Sequence, residues 1–171
     1  MNCGYRELVS VKDLGSKAKL KEFDCGNAHL NEFLVRYAAK NDELGIGRTF
    51  VSADEDGTVL GYFTLATAQV SYQEIPEDFR CSLPRYPIPA LRLARLAVDK
   101  RFQGEGFGKK LLSFVFMKAV QVADLTGLYL IIVDAKESSK SFYEKYGFLK
   151  LFDRDLSYFM PIDTVRRAML R

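Results

Sequence analysis

Apolar residues recur at helical spacing over residues 26–42, where Leu30, Phe33, Leu34, Tyr37 and Ala38 fall on one face, and Asn27 stands where an N-cap is wanted. A short strand near residues 5–9 precedes this helix. Two β-rich runs, 49–53 and 59–70, flank Asp54-Glu55-Asp56-Gly57, which reads as a hairpin turn. Residues 71–89 hold four of the five prolines and predict an irregular, partly helical excursion. Residues 90–98 then read as a central strand despite Arg92 and Arg95, and a glycine-rich turn follows. From 107 to 125, Leu112, Val115, Phe116, Ala119, Val122 and Ala123 keep the helical period, and Gly127 stops the helix. An apolar run at 128–133 suits a buried strand. A short helix over 138–145 ends at Gly147, and strands near 148–151 and 157–161 complete the pattern. This order predicts an α/β protein built on a mixed sheet.

With 171 residues, 48% of them hydrophobic, the chain can bury one core but is short for two, so a single domain spanning 1–171 is expected. Thirteen Phe and nine Tyr supply packing without a metal or disulfide staple. Cys3, Cys25 and Cys81 are odd in number and widely spaced, and His29 is the lone histidine, so no metal site is expected. Neither a signal peptide nor a run of about 20 apolar residues stands out, and a soluble, cytoplasmic protein that avoids membranes is expected. The net charge of +3 is mild, but residues 85–110 carry seven basic side chains against two acidic ones. A phosphate-bearing ligand, a nucleic acid or a merely solvated basic face would each fit that balance.

The string Leu96-Ala97-Val98-Asp99-Lys100-Arg101-Phe102-Gln103-Gly104-Glu105-Gly106-Phe107-Gly108-Lys109 joins the central strand to the long helix. In such a turn, backbone N–H groups converge where the helix dipole adds partial positive charge, which suits a pyrophosphate. Gly104, Gly106 and Gly108 leave room for phosphate oxygens, and Lys109 adds a full charge. The spacing is not that of a nucleotide P-loop, and a dinucleotide fingerprint starting at Gly104 would need glycine where Lys109 stands.

Gln103-x-x-Gly106-x-Gly108 resembles the Q/R-x-x-G-x-G/A signature of the GNAT acetyltransferases, and Phe142-Tyr143-Glu144-Lys145-Tyr146-Gly147-Phe148 resembles a downstream segment of the same superfamily. The resemblance implies a GNAT fold, a twisted mixed sheet flanked by helices with strands four and five splayed. It implies acetyl-CoA as donor, its pantetheine arm along Leu96, Ala97 and Val98 and its pyrophosphate on Gln103, Gly104, Glu105, Gly106, Phe107, Gly108 and Lys109. It places Tyr143 as the general acid for the departing thiolate, with Tyr146 as the competitor that more naturally packs on the core. For a general base, His29, Glu74 and Glu77 offer no clear nominee.

Phe23-Asp24-Cys25-Gly26, Leu30-Asn31-x-Phe33-Leu34 and Ala38-x-Lys40-Asn41 are similar to the opening of the GNAT toxins of bacterial toxin-antitoxin pairs, and the stretch from Leu83 to Asp99 resembles the same subgroup. That resemblance implies acetylation of the α-amino group of aminoacyl-tRNA and a ribbon-helix-helix antitoxin as partner. Arg36, Lys40, Arg85, Arg92 and Arg95 become candidates for the RNA backbone, with Arg95 alternatively holding a structural carboxylate. Monomer and homodimer both stay open. So does an enzyme acting on a small-molecule or protein amine, which the basic balance disfavours only weakly. A non-catalytic acetyl-CoA sensor would not need Tyr143.

Overall fold

The structure is a computed structural model that describes residues 8–170. Seven strands, β1 (Leu8–Ser10), β2 (Arg48–Ala53), β3 (Val59–Val70), β4 (Ile88–Val98), β5 (Leu130–Asp134), β6 (Leu149–Lys150) and β7 (Ser157–Pro161), form one sheet in the order β1-β2-β3-β4-β5-β7-β6. The β4–β5 pair is parallel, while β1–β2, β2–β3, β5–β7 and β6–β7 are antiparallel, so the sheet is mixed as expected. The β2–β3 hairpin forms because the Asp54 carboxylate accepts from the N–H groups of Asp56 and Thr58, both at 2.9 Å, and so closes the turn on itself. Of the first strand expected near 5–9, the part before Leu8 lies outside the described residues.

The helices are α1 (Ala28–Glu32), α2 (Ala38–Glu43), α3 (Glu77–Arg80), α4 (Phe107–Leu125), α5 (Lys140–Lys145) and α6 (Ile162–Met169). Asn27 caps α1 as expected, its side chain accepting from Leu30 N–H at 3.2 Å. The expected first helix is helical from Ala28 to Glu43, two residues later than its expected start, and Phe33–Tyr37 between α1 and α2 is a π-helical stretch. A π turn holds one extra residue, so the period slips. Phe33, Leu34 and Ala38 are buried, whereas Tyr37, expected on the inner face, is turned out and 48% exposed. The expectation that the strand at 157–161 ends the fold is also corrected, because α6 follows it directly and buries Ile162 and Val165.

The chain groups into two compact units, one from residues up to Ala66 with Ala94–Val115, the other from Thr67–Leu93 with Phe116 onward. The first has a core of Phe23, Phe33, Leu34, Val51, Tyr62 and Ala97, with Tyr62 stacked on Phe33 and edge-on to Phe23. In this unit β3 approaches β4 so closely that a Cβ on Gly61 would lie 2.7 Å from the Ala97 carbonyl oxygen. The second unit buries Val70, Ile75, Ile88, Leu130, Ile132 and Phe159.

Candidate active site

In the first unit, β4 ends at Val98 and Asp99 starts the turn that leads to α4. Gly104 and Gly106 both have φ of +80°, a conformation that L side chains resist, so the turn requires glycine at these places. A Cβ on either would meet nothing within 4 Å, so the space above the turn stays open to a ligand. The first intrahelical bond of α4 runs from Lys110 N–H to the Gly106 carbonyl at 3.1 Å. The N–H groups of Phe107, Gly108 and Lys109 therefore precede the helical ladder, at the positive end of a 19-residue helix. Lys109 is exposed beside them. Open space, orphan donors and a cation in one turn fit a pyrophosphate.

What fixes this glycine-rich turn is a polar cluster that sequence reasoning missed. Asp99 is buried and accepts four hydrogen bonds: from Asp24 N–H at 3.0 Å, Arg101 N–H at 3.0 Å, Arg101 Nε at 2.8 Å and Arg101 Nη2 at 3.0 Å. The Arg101 guanidinium pulls the Asp99 carboxyl down to about 2, so it stays ionised. Gln103, expected among the phosphate-binding residues, directs its side chain elsewhere: Nε2 donates to the Val98 carbonyl at 2.8 Å and to the Cys25 carbonyl at 3.1 Å. Its amide ties the turn to the end of β4 and to the loop before α1.

The β4–β5 ladder has four rungs, Ala90–Leu130 through Leu93–Val133, and β4 runs five residues beyond the last of them. β5 itself ends at Asp134, one residue past the last rung. Leu96 and Val98 in that extension are half-buried, and Ala97 belongs to the first core.

In the second unit, α5 carries Tyr143. Its ring packs edge-on to Phe142 at 5.2 Å and to Phe148 at 5.5 Å, and only 6% of the residue is exposed. Burial pushes the phenol up to about 12, so it keeps its proton at any physiological pH. Phe148 N–H returns to the Tyr143 carbonyl at 3.1 Å and closes the helix end. Tyr146 is half-buried and packs its ring on Phe142 at 5.0 Å, at the edge of the protein interior and not in the core expected of it.

The basic candidates separate by what they touch. Arg36 is exposed and pairs with Glu32 one turn earlier at 3.2 Å, and Lys40 and Arg85 are exposed. Arg92 pairs with Asp134, whose other oxygen accepts from Ser157 Oγ at 2.6 Å. Arg95 lays its guanidinium over the Phe33 ring, 3.6 Å from the centroid, rather than on a carboxylate. Among the described residues, no group of three or more His, Cys, Asp or Glu is placed to hold a metal, and no helix is long and apolar enough to cross a membrane.

The glycine turn opening α4, the parallel β4–β5 pair and the buried tyrosine of α5 define an acyl-CoA-dependent acyltransferase fold. The acetyltransferase (GNAT) domain family matches residues 46–150, and the chain belongs to that family as an acetyl-CoA-dependent N-acetyltransferase. It is 30% identical over 157 residues to a probable toxin TacT of Sinorhizobium fredii, covering 86% of this chain and 87% of that protein. It is 36% identical over 127 residues to a tRNA-acetylating toxin of Mycobacterium tuberculosis, covering 74% and 75%. Among solved structures, AtaT complexed with acetyl-methionyl-tRNAfMet superposes with a TM-score of 0.85 at 27% identity, over 95% of this chain and 98% of that one. A tyrosine-to-phenylalanine mutant of the AtaT toxin, bound to the C-terminus of the antitoxin AtaR and acetyl-CoA, gives 0.80 at 25%, over 96% and 97%.

Proposed function

We propose that this chain, as a single catalytic domain in the cytoplasm, acetylates the α-amino group of an aminoacyl-tRNA and so blocks translation, and that a ribbon-helix-helix antitoxin restrains it. The observation that carries this reading is the 36% identity, over three quarters of the chain, to a tRNA-acetylating toxin. The N–H groups of Phe107, Gly108 and Lys109 and the Lys109 ammonium bind the pyrophosphate, while the extended backbone at Leu96 and Val98 lines the pantetheine arm. The thioester supplies an activated acetyl group whose leaving atom is sulfur. Tyr143 donates a hydrogen bond that strengthens as negative charge develops on that sulfur, and its high pKa ensures that the proton is there to give. The ester of an aminoacyl-tRNA lowers the pKa of the neighbouring amine, so much of it is already neutral and a dedicated base is unnecessary. Arg36 and Lys40 in one unit and Arg85 in the other are exposed cations suited to an RNA backbone.

The test is transfer from labelled acetyl-CoA, comparing charged tRNA, deacylated tRNA and a panel of polyamines and aminoglycosides at matched concentrations. Label on charged tRNA alone is expected. Transfer to the panel with none to charged tRNA would replace this reading with a small-amine acetyltransferase.

A further inference from the structure

The loop before α1 and the turn before α4 are joined by more bonds than packing requires. Asp24 N–H donates to Asp99 Oδ2 at 3.0 Å, and Lys100 N–H returns to the Asp24 carbonyl at 2.8 Å. The Asp24 carboxylate accepts from Gly26 N–H at 2.8 Å, Asn31 Nδ2 at 2.9 Å and Lys100 Nζ at 3.0 Å. Asn31 Oδ1 in turn accepts from Cys25 N–H at 2.9 Å, and the Cys25 carbonyl accepts from Gln103 Nε2. The bonds form a closed ring that starts just past β4 at Asp99, passes through Asp24, Asn31 and Cys25, and re-enters the glycine turn at Gln103. The Gly26 N–H bond, then Lys100 and Asn31, hold the Asp24 carboxyl at about 2, so the ring stays charged throughout the physiological range.

We propose that Asp24 and Asn31 are positioning residues for acetyl-CoA: they set the conformation of the phosphate cradle through Gln103 and couple it to the first helix. Gln103 is the residue immediately before Gly104, and its Nε2 bond to the Val98 carbonyl ties the start of the glycine turn to the end of β4. Asn31 lies on α1, one residue before Glu32 and two before the π-helical stretch, and Tyr62 Oη donates to the Leu30 carbonyl at 2.8 Å beside it. A cradle ordered by ligand therefore orders α1, and by reciprocity an ordered α1 tightens the cradle. The proposal rests on the reading that the end of this turn, at Phe107, Gly108 and Lys109, holds the pyrophosphate.

The experiment is calorimetry of acetyl-CoA binding to the folded full chain, with steady-state kinetics on the acceptor that the wild type uses. Asn31→Ala should weaken acetyl-CoA at least about fivefold and raise its KM in step, while kcat at saturation stays within about twofold, because the ring shapes the cradle and not the reacting atoms. In the double variant Asn31→Ala with Gln103→Ala, the affinity should be no weaker than in Gln103→Ala alone, since both remove the same link. Acetyl-CoA should protect the Leu30 and Asn31 amides from hydrogen exchange in the wild type and fail to do so in Gln103→Ala, a response that a purely structural ring would not give. Unchanged affinity in folded Asn31→Ala, or additive losses in the double variant, would overturn the proposal. Should Asn31→Ala not fold, Asp24→Asn, which keeps the shape and removes the charge, carries the same expectation. Gly106→Glu is the control for the underlying reading: if it binds acetyl-CoA normally, the cradle assignment fails, whereas loss there with normal binding in Asn31→Ala sinks only the coupling.

Discussion

Replacing Asp99 by Asn keeps the size of the side chain and removes its charge, so the change isolates what the buried carboxylate does for the turn. Asn has one oxygen acceptor, and if it stays on Arg101 N–H and Nε, the new amide faces Asp24 N–H and Arg101 Nη2 as donor against donor. Two bonds to the ionised carboxylate are lost, one from a backbone N–H and one from the guanidinium, each about 1.5–3 kcal/mol before solvent compensation. Arg101 is half exposed and recovers part of its loss from water, so the net cost is about 2–3 kcal/mol. With a urea slope of about 2 kcal/mol per M, the unfolding midpoint should fall by roughly 1–1.5 M. The pH dependence checks the cause. The folded carboxyl lies near 2 against an ordinary 3.8, so its stabilisation is full above about pH 4 and is lost as pH falls toward 2. The gap between wild type and Asp99→Asn should accordingly narrow below about pH 3.5. A midpoint unchanged at pH 7, or a gap that persists undiminished at pH 2.5, would show that the charge does not hold the turn.

Tyr143→Phe should keep the fold and acetyl-CoA affinity while slowing turnover by roughly 10²–10⁴-fold, and Tyr146→Phe should leave turnover near normal; the reverse outcome would transfer the acid role to Tyr146. Because the Tyr143 phenol lies near 12, its ionisation should cause no fall in kcat up to about pH 10, and a descending limb that vanishes in Tyr143→Phe would contradict that. Gly61→Ala should destabilise the chain by about 1–3 kcal/mol in urea melts, because its Cβ would have to push away the Ala97 carbonyl and the Leu111 side chain at 2.8 Å, and an unchanged midpoint would mean the strands give way freely. Lys40→Glu should weaken charged tRNA and flatten its salt dependence without altering acetyl-CoA affinity, which filter binding across a salt series would read.

The features legible in the sequence are those whose residues lie close together along the chain. The turn from Asp99 to Lys109 and the segment from Phe142 to Phe148 carry their chemistry in contiguous strings, and the hairpin is closed by Asp54 within its own turn. The ring around Gln103 was not legible because the bonds that close it join positions 75 to 78 residues apart, and nothing in the Asp24 or Cys25 neighbourhood announces a partner so distant. The π-helical slip left no mark either, since Tyr37 satisfies an α-helical period that the backbone does not keep. Helix α6 did leave signals, with Pro161 before it, Asp163 in its first turn and Arg166 and Arg167 in its last. Only Ile162 and Val165 are buried in its eight residues, too few to establish a period.

The charge count along the chain misleads in an instructive way. Seven basic residues between Arg85 and Lys110 suggested a strong anion-attracting stretch, but a sequence shows charges without their partners. In the folded chain Arg92 is paired with Asp134, Lys100 with Asp24 and Arg101 with Asp99, Arg95 lies over Phe33, and Lys110 lies over the Phe107 ring at 4.7 Å. Two of those carboxylates, Asp24 and Asp134, lie outside the stretch whose balance was counted. Arg85 and Lys109 are the exposed cations of this stretch for which an external anion is the natural partner. Lys109 sits at the mouth of the cradle, where one charge added to the helix dipole matches a pyrophosphate. Under the proposed function RNA attraction would fall to Arg85 and to the first-helix residue Lys40, joined by Arg36 if it leaves Glu32, its partner at 3.2 Å; the local count did not include these two first-helix residues. Since the salt slope of binding scales with the phosphates neutralised, a chain using three such cations should show a slope nearer −2 than −5 for single-stranded contacts. A steep slope would mean that Arg92 or Arg95 leaves its partner inside the protein to meet the RNA.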